Sequence, residues 1–132
     1  MIFVDTSFWV ALRNRADAHH AQASALIETR DREHLVTTNQ VRGETWTYLR
    51  RRAGHRSASD FLDAVERSPR LQIIHVTEEI ERLSLRWLRR HDEREYAFVD
   101  ATSFAVMRAM GIRQAFAFDG DFSAAGFVEV RP

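Results

Sequence analysis

Ile2-Phe3-Val4-Asp5-Thr6-Ser7 is the stretch on which the reading of the fold turns. Its apolar run is too short for a helix and β-branched enough for a buried strand. A carboxylate, Asp5, stands at the tip of that strand. The next eight residues, Thr6 to Arg13, read as a short helix with Phe8, Trp9 and Leu12 on one face. The same alternation continues along the chain. A helix is expected from an Asp17 N-cap to about Arg30, with Ala18, Ala21, Ala25 and Leu26 on one face, then a strand over residues 34–37. Thr38 or Asn39 caps a third helix to about Arg52. Gly54 breaks it, and Ser57 or Ser59 starts a fourth helix that Ser68-Pro69 closes. A strand over 71–76, a helix opened by Thr77 and a polar linker over 91–95 follow. A helix then runs from Phe98-Val99-Asp100 to Met110, with Gly111 as its stop. Strands over 115–118 and 127–130 complete the series. Strands alternating with helices imply an α/β fold in three layers, a mostly parallel five-stranded sheet covered by helices. No linker or repeat divides the chain, so residues 1–132 are expected to form one domain.

Composition removes several chemistries. The 132 residues include no cysteine, which excludes disulfides, a thiol nucleophile and a zinc–thiolate site. All 19 basic residues are arginine, so no lysine is available for a phosphate-binding P-loop or a Schiff base. The five glycines do not space into a dinucleotide-binding fingerprint. Formal net charge is zero, so any nucleic-acid contact must be local. The N-terminus has no basic segment ahead of a long apolar one, and no apolar run is long enough to span a bilayer; a cytoplasmic protein without a membrane partner is expected.

The chemistry resides in carboxylates. In open α/β sheets, sites form beyond the carboxyl ends of the strands. Asp5 and Asp119 each follow a strand, while Glu44 and Asp100 lie near helix starts. A helix following a strand begins at the same sheet edge, which would bring these two acids there as well, although Asp100 has no obvious strand directly before it. Each acid alone has an ordinary use. Asp5 is a potential N-cap, Asp100 complements a helix dipole, Glu44 suits a solvated face and Asp119-Gly120 suits a turn. Together they form a cluster that must protonate, spread or bind a cation, since two charges ~5 Å apart cost about 3 kcal/mol at an effective dielectric of ~20. Oxygen-only ligands favour a hard ion, Mg²⁺ or Mn²⁺.

Four stretches now match a family. They are Ile2-Phe3-Val4-Asp5-Thr6-Ser7, Thr38-Asn39-Gln40-Val41-Arg42-Gly43-Glu44-Thr45, Phe98-Val99-Asp100-Ala101-Thr102-Ser103-Phe104 and Phe118-Asp119-Gly120-Asp121-Phe122. In this order and spacing, the whole chain resembles a PIN-domain ribonuclease of the VapC toxin type. The resemblance implies a metal-dependent endoribonuclease, the toxin of a type II toxin–antitoxin pair, leaving 5′-phosphate and 3′-hydroxyl ends. The catalytic and metal-binding quartet then falls on Asp5, Glu44, Asp100 and Asp119, with Asp121 as a secondary ligand candidate and Thr6 and Ser7 supporting the metal shell. The chain departs from the pattern at Ala117, where many relatives carry Thr or Ser. An RNA substrate, a cognate antitoxin seated on helical arms around 39–67 (Trp9, Trp46, Leu49, Phe61 and Leu62 as candidates) and a homodimer are also implied.

An anionic substrate beside four acids requires basic flanks. Arg50, Arg51, Arg52 and Arg56 are the RNA-binding candidates, and Arg86, Arg89, Arg90 and Arg94 form a second cluster; solvated helix faces are the competing reading. Trp46 and Tyr48 suit base stacking or, more ordinarily, packing. His20 is expected to be structural and His75 a packed core histidine. A haloacid-dehalogenase-type phosphatase fails because Asp5-Thr6-Ser7 lacks the second aspartate of Asp-x-Asp. A catalytically silent PIN-fold binding or regulatory module is the alternative reading, and a DNA-reading regulator finds no helix-turn-helix signature.

Overall fold

The computed structural model describes residues 1–132. In chain order its elements are β1 (Ile2–Val4), α1 (Thr6–Arg13), α2 (His20–Thr29), β2 (Leu35–Thr38), α3 (Asn39–Arg52) and α4 (His55–Arg67). Then come β3 (Leu71–Ile74), α5 (Glu78–Arg90), α6 (Phe98–Met110), β4 (Gln114–Phe116), α7 (Asp121–Ala124) and β5 (Val128–Glu129). The five strands form one sheet in the order β3-β2-β1-β4-β5. Every pairing is parallel, so the expected mostly parallel sheet is parallel throughout.

β1 lies at the centre because all three of its residues are apolar and fully buried, which requires a covered sheet face on both sides. The chain steps outward from β1 through β2 to β3, then crosses back to lay β4 on the other side of β1. The strand order therefore reverses between β1 and β4. In an open parallel sheet the crevice beyond the carboxyl ends at that reversal is where sites form. Phe8 of α1 stacks on Phe116 of β4 at 4.6 Å, and Phe104 of α6 meets Phe122 edge-on at 4.9 Å. The first contact ties α1 to β4; the second ties α6 to α7, whose Phe122 in turn meets Phe3 of β1 at 6.0 Å.

Several boundaries depart from the sequence reading, each for a physical reason. β4 ends at Phe116, not at residue 118, because the Phe118 N–H donates to the Ser7 hydroxyl at 3.0 Å and the Ala117 carbonyl accepts from Arg131 at 2.7 Å. α4 begins at His55 rather than at a serine. Gly54, at φ 94°, makes the sharp exit from α3, and its carbonyl accepts from Ala58 N–H. Asp17 caps a turn ahead of α2, its side chain accepting from His19 N–H at 2.9 Å, and the buried face of α2 is Ala23 and Leu26 instead of Ala18 and Ala21. The short α7 has no counterpart in the sequence reading. His75 is exposed just past β3, not packed in the core. His20 is structural as expected, its Nδ1 lying 2.8 Å from the Ala11 carbonyl. No helix is long and apolar enough to cross a membrane.

Candidate active site

The carboxylates gather at the reversal between β1 and β4. Asp5 immediately follows β1 and is 2% exposed. It is also the N-cap of α1, so the capping reading holds, and the residue lines the acidic cavity besides. Its Oδ2 accepts from the Ser7 N–H at 3.1 Å and the Ser7 hydroxyl at 2.7 Å. The same Ser7 oxygen accepts from Phe118 N–H, tying the tip of β1 to the segment that carries Asp119. Asp100 sits at the third position of α6, where its Oδ2 accepts from Ala97 N–H at 3.0 Å and thereby caps the helix from within. Asp119 stands past the end of β4, beyond Ala117 and Phe118, in a turn where its Oδ1 accepts from Asp121 N–H at 3.1 Å. Gly120, at φ 83°, sets the backbone of that turn. Glu44 projects from α3, whose start is fixed by Thr38 accepting from Val41 N–H at 3.0 Å.

These side chains line one cavity of about 500 Å³ together with Thr6, Ser7, His19, Tyr48 and Arg52. Carboxylate oxygens of Asp100, Asp119 and Asp121 come within 4.8 Å of one another. Asp121, secondary in the sequence reading, therefore belongs to the tightest trio. Asp5 and Glu44 adjoin it. Asp119 and Asp100 both press electrostatically on Asp5, and Glu44 presses on Asp100.

Burial and mutual repulsion dominate the site's electrostatics. Burial first, then the charge of Asp119, pushes Asp5 up to about 8. Burial first, with the neighbouring acids adding to it, pushes Asp100 to about 7. Asp119 is raised as well, by burial and then by Asp121 and Glu129. Such a cluster holds excess protons unless a cation replaces them. The donor set is oxygen alone, which fits a hard divalent ion. An independent observation agrees. Thr6 is 7% exposed, its Oγ1 is buried without a hydrogen-bond partner, and the residue lines the same cavity. A buried hydroxyl without a partner is costly and calls for an occupant of the cavity.

The arginines divide by position. Arg52 lines the acidic cavity, and Arg51 lines a contiguous one shared with Glu44, Thr47, Tyr48 and Arg52. Arg50 and Arg56 are exposed and line neither. Arg94 separates from its expected companions, donating to Asp121 at 2.9 Å and to the Asp119 carbonyl at 3.3 Å. Arg86 and Arg90 instead flank a different hollow between α5 and α6. Trp9, Leu49 and Phe61 are core residues, which removes them from the candidate partner surface; Trp46 and Leu62 remain half-buried.

The PIN-domain family model matches residues 2–128. The chain belongs to the PIN-domain family, VapC type. In Mycobacterium tuberculosis, the 23S rRNA-specific endonuclease VapC20 of strain H37Rv is 58% identical to it over 132 residues, covering 100% of this chain and 99% of the relative. The protein of the same description in strain CDC 1551 matches equally. The crystal structure of M. tuberculosis VapC20, a sarcin–ricin loop cleaving toxin, superposes with a TM-score of 0.95 at 57% identity over 100% of both chains. This chain and the toxin thus share one fold along their whole length.

Proposed function

We propose that this PIN domain is a metal-dependent endoribonuclease, the toxin of a type II toxin–antitoxin pair, and that its substrate is the sarcin–ricin loop of 23S rRNA. The observation that carries the reading is the convergence of Asp5, Glu44, Asp100, Asp119 and Asp121 on one cavity at the strand-order reversal. The names of the 58% identical relatives support the RNA class and the ribosomal target.

Asp5, Asp100 and Asp119 would hold the ion, Mg²⁺ or Mn²⁺, with Asp121 adding a further oxygen. When bound, the ion neutralises phosphate charge and acidifies a water for in-line attack. Glu44, on the same cavity, would help hold or orient the attacking water. Thr6 offers its unpartnered hydroxyl to the ion's surroundings. Ser7 acts by position, fixing which oxygen of Asp5 faces inward. Arg51 and Arg52 counter the phosphates entering past the acids, their planar forks matching pairs of phosphate oxygens. The products carry 5′-phosphate and 3′-hydroxyl ends. A cytoplasmic location, a homodimer and a cognate antitoxin seated on the α3–α4 arms complete the proposal. Their support is the VapC type, together with the half-buried Trp46 and Leu62 on those arms.

The test is direct. Purified protein with Mg²⁺ or Mn²⁺ should cut a synthetic sarcin–ricin stem-loop at one position and stop on addition of EDTA. Asp119→Asn should lower the rate by at least about a hundredfold, in line with the loss of one metal ligand or its immediate support. Cleavage that persists in EDTA, or in Asp119→Asn at the original rate, would overturn the assignment.

A further inference from the structure

Glu44, Tyr48 and Arg52 follow one another at four-residue intervals along α3. That interval keeps side chains on one side of a helix, and the three line the same acidic cavity. The helix rises ~1.5 Å per residue, so the stripe runs ~12 Å outward from the carboxylates, about the span of two nucleotides. Three rings line the cavity: His19, Tyr48 and Phe118. His19 and Phe118 are stacked on each other at 4.6 Å with planes 8° apart, and Arg131 lies 4.9 Å from the Phe118 ring, so both are engaged within the chain. Tyr48 is different. It is 42% exposed, its ring meets the Arg52 guanidinium at 4.9 Å, and it also lines the contiguous cavity that holds Thr47 and Arg51. An aromatic ring left open to solvent, backed by a cation, between an acidic cluster and two arginines, suits stacking by a nucleobase.

We infer that Tyr48 is the base-stacking platform of this enzyme: it holds the nucleobase adjoining the scissile phosphate against α3 while Arg52, stacked on its ring, meets the next phosphate. Tyr48 is a positioning residue, since it acts on the base and not on the reacting atoms. This rests on the endoribonuclease reading, but stacking needs no metal and is measurable apart from cleavage.

The experiment uses a fluorescein-labelled single-stranded RNA 12-mer of mixed sequence, with wild type, Tyr48→Leu and Tyr48→Phe. Anisotropy in EDTA reads binding; rates in Mn²⁺ read kcat and KM on the sarcin–ricin stem-loop. Tyr48→Leu should weaken binding and raise KM about tenfold, with kcat within about twofold, and Tyr48→Phe should restore both, because a phenyl face stacks as a phenol does. An abasic nucleotide at the platform should make wild type and Tyr48→Leu alike. Equal 12-mer binding by wild type and Tyr48→Leu overturns the inference and leaves the nuclease reading standing. So does a Tyr48→Leu variant whose defect is confined to antitoxin binding, which would make the ring a protein contact. Tyr48-dependent RNA binding in a protein that cuts no RNA with Mn²⁺ would overturn the nuclease reading and leave the platform in place.

Discussion

Asp5 performs two tasks with one carboxylate. Oδ2 is occupied by Ser7 as a helix cap, while burial and Asp119 keep the group mostly protonated near neutral pH. Removing its charge therefore separates stability from activity. In metal-free protein, Asp5→Asn should raise the melting temperature at pH 8 by about 5 °C or more, less at pH 5, and change it little only below about pH 4, where the acid is neutral in the folded and the unfolded chain alike. The same variant should lose RNA cleavage. A lower melting temperature at pH 8 would mean that the native site does not strain against its own charge. Ser7 makes the complementary case. Its hydroxyl donates to Asp5 and accepts from Phe118 N–H. Ser7→Ala should cost about 1–3 kcal/mol, read by urea denaturation, and should slow cleavage without abolishing it, since every acid remains.

At the scale of elements, just as α1 brings Thr6 and Ser7 to the cavity, α3 brings Glu44, Tyr48 and Arg52 there from one start point. That start is the buried Thr38 cap. Thr38→Ala should destabilise the protein by about 1–2 kcal/mol in thermal or urea unfolding, more than removal of an exposed cap would. Thr38 and Asp5 were legible in the sequence because a cap bonds within two or three residues. The shared sheet edge of Asp5, Glu44, Asp100 and Asp119 was legible too, because strand ends and the helices that follow them meet at one side of a parallel sheet. What the sequence hid depends on distant partners. The length of β4 is set by Ser7, 111 residues away, and by Arg131. Asp121 joins the trio because Gly120 turns the chain and Arg94, 27 residues away, holds its carboxylate. The four-residue α7 is too short to show a period. Nor could periodicity separate Tyr48, open to the cavity, from Leu49, buried one position later.

Across the whole molecule, the acidic cavity makes folding depend on pH and cations together. The native protein keeps Asp5 and Asp100 protonated up to about 8 and about 7, whereas unfolded aspartates release their protons near the ordinary 3.8. Between those limits the native state binds more protons than the unfolded one. Metal-free stability should therefore be greatest below about pH 4 as far as these groups are concerned, and should decline as pH rises toward 8. A divalent ion must displace those protons, so it binds native protein better at higher pH. Millimolar Mn²⁺ should raise the melting temperature more at pH 8 than at pH 5.5, by scanning calorimetry. Equal shifts at both pH values would indicate that the ion binds elsewhere.

The direction of β1 has a practical corollary. It runs from Met1 on one rim of the sheet to Asp5 on the other, ~13 Å away at strand rise. Arg131, by contrast, lies beside Ala117 and Phe118 on the cavity's own rim. Affinity handles or fluorescent fusions placed ahead of Met1 should leave the acidic cavity clear, whereas those attached after Pro132 should stand beside its rim and weaken RNA binding.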